Sequence, residues 1–208
     1  MKKCYWDYLK YVLEHKKNVF KVAVEKGDYI HAITHDLNKF KPSQFIPMAI
    51  WFNSEWGVEL EKHYNHEQLN NGQSSLSKTY LQNKENMEMA FIEHYSSKWF
   101  GRHHWNYWNG KVMPLKYLRQ MIIDWEAMSL KFGGSSAEYY LKNYNKFEIH
   151  RVSRCYLEME LGLLDFHYEE GLNLREIVKY ATDKAFEEVI KPHLEKVAGI
   201  EVNKQMFI

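Results

Sequence analysis

The chain predicts an all-α fold, and three observations carry that expectation. Aromatic side chains make up 16% of its 208 residues while proline and glycine number only 4 and 10, a composition suited to long helices packed through bulky side chains. Apolar residues recur at three- and four-residue spacing over long stretches, and no two alternating runs form a strand pair. The few prolines and glycines fall between those stretches, where helices have to stop. The length suits a main helical domain over residues 1–164 with a C-terminal helical extension over 165–208 packed on it.

The elements follow in order. Tyr8, Tyr11, Val12, His15, Val19 and Val22 recur on one face, predicting a helix over about Tyr5–Glu25 with His15 turned inward. Gly27 ends it, and the Asp28 carboxylate can accept from the amides of a second helix that runs until Pro42 forces a stop. His35 and Asp36 then sit near the middle of that second helix. His31, His35 and Lys39 share a face at i, i+4 and i+8, with Asp36 one residue round. A third helix starts near Pro47, whose missing amide is harmless in a first turn, and reaches about Trp56.

Residues 63–84 are polar and amide-rich, which predicts a loop and makes this stretch the candidate for a mobile lid. Helical spacing resumes over about Lys84–Trp99 and carries His94; the segment 101–108 reads as irregular. After Pro114 comes the clearest amphipathic pattern, Leu115, Leu118, Met121, Ile122, Trp125 and Met128. At 100° per residue Asp124 lies about 40° outside that stripe, within reach of an interior site. Gly133-Gly134 breaks the helix, and Ser135 or Ser136 can cap the next. Further helices fall near 137–143 and 147–161, and Asn173-Leu-Arg-Glu176 is a capping box opening a last helix to about Val197, kinked at Lys191-Pro192.

Bulk properties exclude several classes. A formal charge of +1 advertises no general nucleic-acid surface. The two cysteines, Cys4 and Cys155, match neither a disulfide scaffold nor a thiolate zinc motif, as expected of a reduced intracellular protein. No signal peptide and no run of about 20 apolar residues is visible, so the expectation is a cytoplasmic protein without a membrane span.

The chemistry lies in histidine and aspartate. The segment His31-Ala-Ile-Thr-His35-Asp36-Leu-Asn-Lys39 holds an adjacent His-Asp pair, with His15 upstream and His94, His103, His104 and Asp124 downstream. Imidazole nitrogens and carboxylate oxygens together suit manganese, iron, cobalt, nickel or zinc. An isolated histidine is more often a hydrogen-bonded core residue, and His31 is assigned to packing or a hydrogen bond. The order of the set is what raises metal binding above that plain reading.

In that order the chain resembles the HD superfamily of metal-dependent phosphohydrolases over about residues 8–130, named for a His-Asp pair such as His35-Asp36. The resemblance implies an HD-type helical bundle in which His15, His35, Asp36 and Asp124 hold one divalent ion. Where members hold two, His94 with His103 or His104 would complete the set. Some two-metal phosphodiesterases of the superfamily carry a lysine three residues after the aspartate, matched here by Lys39. His103-His104-Trp105 and Asp124-Trp125-Glu126-Ala127-Met128 also resemble segments of an uncharacterised family found in phages and bacteria, which would place a phage-encoded copy in the host cytoplasm.

The implied activity is hydrolysis of a nucleotide or related small phosphoester, mono- or diester, by metal-activated water, with Asp36 and Lys39 as catalytic residues. Lys39, Arg102, Lys131, Arg151 and Arg154 are the candidate phosphate-binding cations. Trp105, Tyr107 and Trp108 either stack a base or belong to the core. Two other readings stay open: a dinuclear-iron oxygenase with the same ligand order, and a protein that binds a nucleotide or signalling molecule without turnover. The C-terminal helices either cap the domain or form a homodimer.

Overall fold

The computed structural model describes residues 3–53, 75–164 and 171–207. Every regular element among them is helical, as expected: α1 Lys3–Glu25, α2 Tyr29–Thr34, α3 Pro42–Asn53, α4 Ser75–Ser96, α5 Trp105–Trp108, α6 Leu115–Phe132, α7 Ser136–Lys142, α8 Arg151–Glu160, α9 Leu174–Tyr180, α10 Asp183–Ala185 and α11 Lys191–Ala198. Short 3₁₀ turns cover Leu37–Phe40, Tyr144–Lys146 and Lys204–Phe207, and a π-turn covers Phe186–Ile190. Among the described residues no helix is long and apolar enough to cross a membrane. The expected end of the third helix near Trp56 and the lid residues up to Ser74 lie outside the described residues.

The chain divides into two compact units, residues 1–17 with 33–101 and residues 18–32 with 102–208. In the first, Tyr8 and Val12 of α1 are buried with Met48 and Ala49 of α3 and Ala90 of α4, and Tyr5, Tyr11 and Phe45 pack against them. Each large side chain so buried contributes about 1.5–3 kcal/mol. Helix α3 begins at Pro42 and not at Pro47: the ring at Pro42 occupies a first-turn position where no amide is needed, while Pro47 falls inside the helix. Helix α4 begins at Ser75, inside the stretch expected as loop. Its pattern is weak because over residues 79–89 the one buried side chain is Tyr80.

In the second unit α6 is the central element, buried on two sides. Leu118, Met121, Ile122 and Trp125 join the large cluster that includes Tyr140, Leu141, Leu157 and Phe186, while Ile123 and Ala127 pack with Val19, Val22, Ala23 and Ala32. The Asp28 carboxylate caps α2 by accepting from the His31 amide at 3.0 Å and also accepts from Gln120 of α6 at 2.7 Å. Ser135 caps α7, and Asn173 with Glu176 forms the full capping box of α9. The expected single last helix is broken at Ala181-Thr182, before the π-turn that leads to Pro192 at the start of α11. Residues 171–207 supply Leu174, Val178, Leu194, Val202 and Phe207 to the large cluster of this unit.

Candidate metal centre

The His35-Asp36 pair is not in a helix. Helix α2 stops at Thr34, and Asp36 takes the left-handed conformation, φ 57° and ψ 20°, before the 3₁₀ turn Leu37–Phe40. That conformation costs a residue with a Cβ about 1–2 kcal/mol and interrupts the helical ladder, so the face expected to align His31, His35 and Lys39 is not formed. Lys16 of α1 holds the turn: its Nζ donates to the carbonyls of Ile33 at 2.7 Å and His35 at 3.1 Å. Burial lowers the Lys16 pKa, and the Asp36 charge opposes that shift.

The bend turns His35 and Asp36 toward His15 of α1 and His94 of α4. The Nε2 atoms of His15 and His35 are 3.1 Å apart, His35 Nε2 is 3.1 Å from Asp36 Oδ2, and His15 Nε2 is 3.6 Å from the same oxygen. His94 Nε2 lies 3.3 Å from Asp36 Oδ1. All four residues are buried, none above 3% exposure. Lys39 reaches back from the 3₁₀ turn to form an ion pair with Asp36 Oδ2.

Burial alone would raise the Asp36 pKa, but the charges of His35, Lys39 and His94 and a hydrogen bond from His15 hold it well below the usual carboxylate range. Burial, reinforced by Asp36 and opposed by Lys39, pushes the nearby Tyr8 phenol up to about 12, so Tyr8 stays protonated.

This donor set fits a transition-metal ion. Ligands at about 2.0–2.1 Å from a metal stand about 3.0 Å apart at an octahedral edge and about 3.4 Å apart at a tetrahedral one. Here His15 Nε2, His35 Nε2 and Asp36 Oδ2 stand 3.1 to 3.6 Å from one another, and His94 Nε2 stands 3.3 Å from the other carboxylate oxygen. An imidazole Nε2 binds a metal through its lone pair once deprotonated and the Asp36 carboxylate can bind through either oxygen, so the residue types as well as the spacing suit a divalent cation.

Of the expected ligands, the first unit therefore brings together His15, His35, Asp36 and His94, with Lys39 beside them. His103, His104 and Asp124 belong to the second unit. There the His103 ring is 4.0 Å from His104 and 5.3 Å from His31, centroid to centroid, and His103 is buried. Asp124 is half-buried on α6, and its charge adds to burial in raising the Tyr139 pKa.

The other expected phosphate-binding cations also lie in the second unit, where the structure gives most of them protein partners. Arg154 is buried, donating to the Tyr140 hydroxyl at 2.8 Å and to the Phe147 carbonyl at 2.5 Å, which removes it as a substrate contact. Arg151 is paired with Glu176 at 2.6 Å, and Arg102 donates to the Tyr117 hydroxyl at 2.9 Å. Lys131 lies 5.8 Å from the centre of the Phe132 ring. Trp105 packs on Phe147 and Trp108 on Tyr117, and the Trp108 indole donates to the Arg102 carbonyl. Both tryptophans are partly buried against the large cluster of the second unit.

Sequence reasoning missed three residues of the first unit. Tyr8 lies seven residues before His15, two turns away on the same face, so helical spacing could have found it. Lys16 adjoins His15 but gives no signal unless the α2 terminus is known. Asn38 is buried, its Oδ1 3.1 Å from His94 Nδ1, and its Nδ2 donates to the His94 carbonyl at 3.4 Å. A helical reading of Leu37–Phe40 conceals that contact.

No curated protein and no solved structure matches the chain. A family model described as a family of unknown function, DUF5662, matches residues 4–169, most of the chain and the whole of the His35-Asp36 region. The chain belongs to the DUF5662 family.

Proposed function

We propose that the protein is a metal-dependent phosphohydrolase of the HD type, acting on a nucleotide or a related small phosphoester. The observation that carries this reading is the convergence of His15, His35, His94 and Asp36 within 3.1 to 3.6 Å of neighbouring ligand atoms, with the Lys39 ammonium against the same carboxylate. His15, His35, Asp36 and His94 would hold a divalent ion. Such an ion supplies Lewis acidity, making water nucleophilic near neutral pH and withdrawing charge from a phosphoryl oxygen.

The chain's own residues supply the rest. Asp36 keeps its negative charge across the physiological range, because the surrounding cationic and donor groups outweigh burial. Lys39 has a compact charge on a short 3₁₀ turn, well placed to offset charge gathering on a phosphoryl group. Tyr8, protonated at any working pH, can donate a hydrogen bond to an anionic substrate but cannot serve as a base.

The test is phosphate or nucleotide release from a panel of mono-, di- and triphosphates and cyclic phosphodiesters, with the protein loaded in turn with manganese, iron, cobalt, nickel and zinc. Metal-dependent turnover is expected. With Lys39→Met, turnover should fall about 100-fold or more while metal content is retained. Oxygen uptake by the iron form without phosphoester cleavage would assign oxidative chemistry. Tight nucleotide binding without turnover in any metal form would assign a binding protein.

A further inference from the structure

We propose that Asn38 is a positioning residue that fixes the ring tautomer of His94 and thereby aims its Nε2 into the His15–His35–Asp36 cluster. The inference about the tautomer stands on hydrogen bonding alone; its consequence for metal affinity rests on the proposed metal centre.

The argument begins at a main-chain carbonyl. The His94 carbonyl oxygen can only accept, so the Asn38 atom 3.4 Å from it must be the amide nitrogen, Nδ2. That orients the amide, leaving the carbonyl oxygen Oδ1 as the atom 3.1 Å from His94 Nδ1. Oδ1 is also only an acceptor, so Nδ1 must carry the proton and donate it. In a neutral imidazole the lone pair then resides on Nε2, which faces Asp36 Oδ1 at 3.3 Å. A lone pair and a carboxylate oxygen at that distance attract only across a cation or a second ring proton. One buried amide, reading one backbone carbonyl, thus decides which nitrogen of His94 is available.

The local chain holds that carbonyl in place. Gly101 packs so closely on the end of α4 that a Cβ there would come within 2.1 Å of the Tyr95 carbonyl oxygen and 2.9 Å of that of His94. Asn38 itself sits in the 3₁₀ turn just after the left-handed Asp36, where its carbonyl accepts from the Lys41 amide at 2.9 Å. The same turn therefore sets the Asp36 carboxylate and the tautomer of a histidine 56 residues further on.

The experiment has two arms on the full chain. In the first, ¹⁵N-histidine spectra of metal-free wild type should show a proton on His94 Nδ1 as a one-bond signal in slow exchange with water. An unprotonated Nδ1 would overturn the proposal. In the second, titration with Co²⁺ alone, followed by its visible absorption, should show Asn38→Leu binding about 10- to 100-fold more weakly than wild type. Asn38→Asp, which keeps an acceptor at Nδ1, should stay within a few-fold of wild type and preserve the Nδ1–H signal. Equal Co²⁺ affinity in wild type and Asn38→Leu, or loss of the Nδ1–H signal in Asn38→Asp, would contradict it. The Asn38→Asp and wild-type spectra keep the test decisive if Asn38→Leu does not fold. A wild type with Nδ1–H in place and no affinity for Co²⁺ would sustain the tautomer assignment and overturn the metal centre instead.

Discussion

Each unit of the molecule buries a charged cluster, and the two are built in opposite ways. In the second unit Glu158 is fully buried, yet donors surround its carboxylate: the hydroxyls of Tyr140 at 2.7 Å and Tyr144 at 3.1 Å reach Oε1, and the Leu174 amide at 2.6 Å reaches Oε2. Arg154 bonds the same Tyr140 hydroxyl, and its guanidinium lies 4.6 Å from the centre of the Tyr144 ring. Donor meets acceptor throughout, and the cluster ties α7, α8 and the start of α9 together. In the first unit, imidazole nitrogens meet one another and a carboxylate at 3.1 to 3.6 Å. A self-complementary polar cluster is a structural tie. A cluster whose ring nitrogens and carboxylate oxygens stand at ligand spacing is the proposed metal centre.

This contrast can be broken most forcefully at Asp36. Asp36→Ala or His35→Ala should abolish metal binding and lower any phosphohydrolase activity by about a thousandfold or more, with helical content by circular dichroism retained. Retained metal and activity in both variants would remove the distinction between the clusters.

The next effect is on stability, in the other unit. Glu158→Ala leaves the buried Tyr140 and Tyr144 hydroxyls and the Leu174 amide without their acceptor and should cost about 3–5 kcal/mol in urea unfolding. Metal content per folded molecule should not change. A loss of metal as large as that of Asp36→Ala would show that the two clusters are not independent.

A smaller effect sharpens the comparison through pH. Burial pushes the Glu158 carboxyl up to about 7, against hydrogen bonds from Tyr140, Leu174 and Tyr144 and the Arg154 charge. The folded state therefore holds this proton more tightly than the unfolded chain, where the group titrates near 4.5. Relative to Glu158→Gln, wild type should lose on the order of 3 kcal/mol of stability as pH rises from about 4.5 to about 7, and no more above that. Urea midpoints across that range check it, and a gap that is constant or widens in favour of wild type would contradict it.

The smallest effect concerns the exposed pair of Arg151 with Glu176. Arg151→Ala should change stability by less than about 1 kcal/mol and leave turnover unaltered. A large loss of turnover would return Arg151 to the substrate-binding set.

The parts of the fold that were legible are those in which local chemistry and tertiary packing agree. The apolar stripe of α6, the Ser135 cap and the Asn173–Glu176 capping box each appear where the residues place them. The start of α4 was not legible, because its polar opening residues resemble a loop unless the burial of Tyr80 is known. At the site, the residue types and the inward face of His15 were legible. The left-handed Asp36 was not, since its conformation is held by Lys16 from a helix distant in sequence, and without it neither the Lys39 pairing nor the Asn38 contact can be drawn.

The most direct test of the central claim is the metal content of the full chain purified without chelator, measured by mass spectrometry beside His35→Ala. The expected result is one or two equivalents of a first-row transition metal in wild type and near-complete loss in the variant. A wild type that carries none, and takes up none of manganese, iron, cobalt, nickel or zinc at micromolar concentration, would contradict the assignment of His15, His35, His94 and Asp36 as a metal centre.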